Sequence, residues 1–98
     1  MAQPLTVIAR VRAKPGQQAR LRQVLLALVP PTRAEAGCIN YDLHQSVEDP
    51  TLFLFHENWA TEADFEAHAR SPHIEASRKI VPELTEGRVE ITKWKRVT

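Results

Sequence analysis

The side chains able to do acid–base chemistry crowd one part of the chain. All four histidines, His44, His56, His68 and His73, fall within thirty positions, alongside Tyr41, Glu57, Asn58 and Trp59. Imidazole is the side chain that takes or gives a proton near neutral pH, so the grouping suits proton abstraction from a bound small molecule. On a strand, His56 and Asn58 share one face and Glu57 and Trp59 the other. A helix that opens almost directly after Trp59 keeps His68 and His73 near one end of it. A pocket between that helix and the sheet would hold Trp59 or Asn58 together with both histidines. His73 falls in a first helical turn, where the positive end of the helix dipole disfavours imidazolium and keeps a neutral base.

Each of these residues also has a purely structural reading. His44 is expected in solvent beside a turn, and Cys38 as a small buried residue. Trp59 and Tyr41 serve equally as core residues, the tyrosine with its hydroxyl bonded. An inward Glu57 needs a partner, for which Arg10 or Arg12 is the expectation. No metal site is expected, because His68 and His73 are five apart and miss the i, i+4 spacing of paired helical ligands. The break at Ser71-Pro72 is the one route that would bring them together. There is no G-x-S-x-G nucleophile motif and no glycine-rich phosphate loop, since Gly16, Gly37 and Gly87 stand alone.

Hydrophobic periodicity supplies the elements that must position these groups. Leu5, Val7, Ala9, Val11 and Ala13 alternate with Thr6, Ile8, Arg10 and Arg12, a half-buried strand ended by Lys14-Pro15-Gly16. Leu21, Val24, Leu25, Leu28 and Val29 form a helical stripe, with a break expected at Pro30-Pro31, a last turn from Thr32 and a stop at Gly37. Residues 38–47, with Ile39, Tyr41 and Leu43 on one side, and residues 51–59 pair as a hairpin across Glu48-Asp49-Pro50. Thr61 to Asp64 resembles a capping box for a short helix carrying Phe65, His68 and Ala69. Ser71-Pro72 restarts it, with Ile74, Ser77, Ile80 and Val81 facing inward until Pro82. Residues 88–97 alternate again as a last strand. The order βαββαβ is that of an α+β, ferredoxin-like fold: an antiparallel sheet with both helices on one face. Apolar groups on the uncovered face (Ile8, with either Phe53/Phe55 or Leu52/Leu54) predict a two-fold homodimer, sheet against sheet, a dimeric α+β barrel.

Composition limits the possibilities further. Ninety-eight residues make a single domain, 1–98, and 43% hydrophobic with 26% charged residues is ordinary globular usage. Thirteen basic and twelve acidic residues are interspersed, with no basic stripe for nucleic acid or a membrane surface. One cysteine excludes an internal disulfide framework. The N-terminus has no signal-peptide core and no apolar run reaches the ~20 residues of a membrane span, so a cytoplasmic location is expected.

The ordered set Arg33-Ala-Glu-Ala-Gly-Cys-Ile-Asn-Tyr41, Glu57-Asn58-Trp59, Phe65-Glu-Ala-His68 and Ser71-Pro-His73 resembles the antibiotic biosynthesis monooxygenases, and among them the small quinol monooxygenases. Val7-Ile-Ala-Arg-Val and Pro15-Gly16 extend the likeness over nearly the whole chain. The resemblance implies a homodimer that oxygenates a small phenolic or quinol-type aromatic with dioxygen, without metal, flavin or haem. It implies His73 or His68 as base, Asn58 and Trp59 orienting substrate and oxygenated intermediate, and Tyr41, Glu57, His56 and Phe65 in the binding site. The first strand has no asparagine and no histidine follows His73, which departs from the haem-degrading relatives. An isomerase of the autoinducer-2 processing type and a non-catalytic dimeric ligand-binding protein are the alternatives.

Overall fold

The computed structural model describes residues 3–98. Its elements are β1 (Leu5–Ala13), α1 (Gln18–Ala27), α2 (Val29–Arg33), β2 (Cys38–Gln45), β3 (Leu52–Trp59), α3 (Glu62–Ala69), α4 (Pro72–Leu84) and β4 (Thr85–Trp94). The strands form one antiparallel sheet in the order β2-β3-β1-β4, the ferredoxin-like arrangement expected from the element order. No helix among the described residues is long and apolar enough to cross a membrane.

Register decides which side chains reach the helices. Val7 pairs with Glu57, Ala9 with Phe55 and Val11 with Phe53, and cross-strand partners share a face. Val7, Ala9, Val11, Phe53, Phe55 and Trp59 therefore join Leu21, Leu25, Leu28 and Tyr41 in one core beneath the helices. Ile8, Leu52 and Leu54 lie on the other face, so of the two phenylalanine/leucine alternatives the leucines take the open side.

Three local expectations are corrected. The break expected at Pro30-Pro31 occurs, but at Leu28: α1 stops, the last turn opens at Val29 rather than Thr32, and the prolines lie in the first turn of α2, where no intrahelical donor is required. Ile39 does not share the inner face with Tyr41. The pairing of β2 slips between Cys38 and Asn40, which leaves Ile39 as the extra residue of a bulge, 57% exposed. Pro82 does not end the last helix but sits within α4, between the buried Val81 and Leu84. Its ring costs one hydrogen bond near the helix end, and burial of the two neighbours offsets that loss. Strand β4 consequently begins at Thr85 and ends at Trp94, three residues earlier at each end than expected.

Candidate active site

Three chain breaks build the site. In α3, Thr61 caps the helix by accepting from the Asp64 amide at 3.1 Å, and the i, i+3 pair Phe65 and His68 turns inward. The chain then restarts at Ser71-Pro72, which places His73 in the first turn of α4 with its ring centroid 6.1 Å from that of His68. The third break is the end of α2. The Glu35 amide bonds the Thr32 carbonyl at 3.0 Å, and Gly37 turns the chain with φ +81° into β2. This holds Glu35 opposite both histidines.

Glu35 is the candidate site residue that the reading of residue types and spacing missed. Its Oε2 accepts from His68 Nδ1 at 2.7 Å and lies 2.9 Å from His73 Nε2. Thr32 Oγ1 and Ser71 Oγ stand 3.1 and 3.3 Å from the same His73 nitrogen. It lies in a loop outside any hydrophobic period; the one available signal was its place in the Arg33–Tyr41 string. Glu35, His68 and His73 are also the residues whose ligand atoms could hold a metal ion.

His68 is the hub. It is 5% exposed and packed among Trp59 (centroids 4.7 Å apart), Tyr41 (5.4 Å, edge-on) and Phe65 (6.1 Å). Burial pushes its pKa down, and the Glu35 carboxylate opposes that only in part. Burial thus favours the neutral ring, and a tautomer with Nδ1–H directed at Glu35 leaves the lone pair on Nε2.

A cavity of about 200 Å³ opens beside this ring, walled by Leu25, Leu28, Phe55, Phe65, Val81 and Ile91. A dry apolar cavity of about 150 Å³ accepts benzene, so the space suits a substituted single ring. Tyr41, Glu57 and His68 are polar groups in its lining. Glu57 does not pair with Arg10 or Arg12, contrary to expectation. Those arginines share the parity of Ile8 on the far side of β1, and Arg12 pairs with Asp49 instead. Glu57 Oε1 accepts from Trp59 Nε1 at 2.9 Å. Burial raises the Glu57 carboxyl to about 7, the Trp59 hydrogen bond working against it and the Glu35 charge with it. Burial, then the Glu57 charge, also pushes the Tyr41 phenol up.

Trp59, Tyr41, Glu57, Phe65, His68 and His73 therefore gather on the helix side, with His68 lining the cavity and His73 behind it. His56 and Asn58 do not join them. Asn58 accepts from Thr6 Oγ1 at 2.6 Å and donates to Asn40 Oδ1 at 2.7 Å, and Asn40 also donates to the His56 carbonyl, all on the open face. His44 is exposed, as expected.

The sequence profile of the antibiotic biosynthesis monooxygenase family matches residues 4–80. The chain belongs to this family. Two solved structures agree with it in fold over nearly their whole length. PA3566 from Pseudomonas aeruginosa is 40% identical, with TM-score 0.94 over 100% of this chain and 98% of its own. Rv0793 from Mycobacterium tuberculosis is 39% identical over 94% of this chain and 90% of its own, and its solved structure superposes with TM-score 0.91. YgiN of Escherichia coli, described as a probable quinol monooxygenase, is 36% identical over 79% of this chain and 84% of its own. In this antibiotic biosynthesis monooxygenase family chain, the aromatic cluster and the Glu35–His68 pair occupy the interval between sheet and helices.

Proposed function

We propose that the protein oxygenates a small electron-rich phenol or hydroquinone with dioxygen, using no metal or flavin, and that His68 is its base. One observation carries this reading: a buried imidazole, held by Glu35 through Nδ1, lines an apolar cavity of single-ring size. Such a pair fixes the tautomer that leaves Nε2 free to take a phenolic proton. The phenolate in an apolar cavity is a strong reductant and passes electron density to dioxygen. A carbon–oxygen bond forms on the ring, the oxygen–oxygen bond breaks, and a hydroquinone leaves as a hydroxyquinone plus one water. Tyr41, Phe55 and Phe65 pack the substrate ring, and Trp59 backs the imidazole of His68. Glu57, whose carboxyl titrates near neutrality in the same wall, binds a substrate hydroxyl or returns a proton to the departing oxygen.

The apolar walls favour this over isomerisation of a phosphorylated sugar, which calls for several converging cations; Arg78 is the one cationic residue in the cavity lining. The open face, with Ile8, Leu52 and Leu54 half-buried and Trp94 58% exposed, supports the homodimer as part of the proposal. Labelled dioxygen tests the reaction class. Chelator-treated protein given a panel of hydroquinones should place one labelled atom in product and one in water. Product without label, or none above the autoxidation blank across the panel, would contradict it.

A further inference from the structure

Orienting His68 takes one carboxylate and one ring, yet Glu35 Oε2 meets two imidazoles. His68 Nδ1 lies at 2.7 Å and His73 Nε2 at 2.9 Å, and the three atoms are all within 4.8 Å of one another. They come from three separate segments: the loop after α2, the end of α3 and the first turn of α4. Their convergence is therefore not a by-product of a helical repeat. The second ring, brought in by the Ser71-Pro72 restart, adds a donor atom that transfer of one substrate proton does not use.

The geometry points to a divalent transition-metal site formed by Glu35 Oε2, His68 Nδ1 and His73 Nε2, holding one ion per chain. Two imidazoles and one carboxylate suit Zn²⁺, Co²⁺, Ni²⁺ or Cu²⁺, whereas Mg²⁺ and Ca²⁺ take oxygen ligands. A tetrahedral ion with bonds of 2.0–2.2 Å sets its ligand atoms roughly 3.3 Å apart, so Glu35 draws back by about half an ångström. The Thr32 and Ser71 hydroxyls beside His73 Nε2 are placed to bind a water that completes the shell. The ligand side chains are between 6% and 20% exposed, with His73 the most open and thus the side of entry.

The protons balance by tautomer exchange. To bind the ion, each ring offers the nitrogen that faces Glu35 without a proton and carries its proton on the other. In His68 that other nitrogen is Nε2, so a bound ion converts the proposed base into a donor and silences it. This consequence rests on the proposed function; the binding itself does not.

The test titrates the full chain, stripped by chelator, with Co²⁺ under visible absorption and with Zn²⁺ as competitor. The wild type should bind one Co²⁺ with the intense bands of a tetrahedral site and lose them to Zn²⁺. Glu35→Gln and His73→Ala should each weaken binding tenfold or more, and His44→Ala should leave it unchanged. Absence of the bands, or equal binding by wild type and His73→Ala, overturns the site. Because either variant could fail to fold, ring-nitrogen NMR of the wild type gives a second reading. Zn²⁺ should shift His68 and His73, and a shift confined to His44 or His56 overturns the assignment. Neither readout involves substrate, so a chain that binds the ion but oxygenates no quinol contradicts the functional proposal alone.

Discussion

Glu57 is 2% exposed and lines a cavity walled largely by hydrocarbon, which makes its ionisation expensive. Its pKa rises from 4.5 to about 7 on folding, so the folded state binds the proton more tightly than the unfolded one. Stability is then full below 4.5 and is lost as pH rises through 7, by about 3 kcal/mol at 1.36 kcal/mol per pH unit. Glu57→Gln keeps an oxygen for the Trp59 indole and removes the charge. Urea unfolding should show the wild type losing stability relative to the variant as pH rises from 5 to 8, the His68 contribution being common to both. A parallel loss in both would refute the assignment. At this scale the sequence was partly legible. Alternation placed Glu57 and Trp59 on one face, and the same alternation already put Arg10 and Arg12 on the opposite side of β1. The expected Glu57–arginine pair thus conflicted with the parity of its own strand. Glu35 was less accessible, because no period governs a loop side chain.

Gly37 belongs to the scale of elements. Its φ of +81° closes the turn between Glu35 and β2, and an added Cβ would run into the Asp64 side chain at the start of α3. Gly37→Ala should therefore cost about 1–3 kcal/mol, read as a lowered Tm. It should also depress oxygenation more than stability alone explains, because Glu35 lies two residues away. A variant as stable and active as wild type would show that the turn does not position Glu35. The sequence showed this stop, and the Ser71-Pro72 restart, because glycine and proline act locally. The bulge at Ile39 and the continuation of α4 through Pro82 were not visible, since both are set by pairing and burial across the fold.

For the whole molecule, element order was enough to indicate the sheet and the face its helices cover, and the proposed association rests on the apolar residues of the other face. Sedimentation at micromolar concentration should give twice the 11.1 kDa of one chain. Leu54→Arg, on the open face opposite Arg10 in β1, should shift the mass toward the monomer. A wild-type mass of one chain would refute the predicted pairing.

Oxygen consumption by chelator-treated protein, compared among wild type, His68→Ala and His73→Ala on one hydroquinone, tests the central claim most directly. The account predicts that His68→Ala loses roughly a hundredfold or more in kcat, as removal of a general base does, and that His73→Ala loses far less. Equal rates for His68→Ala and wild type would contradict it.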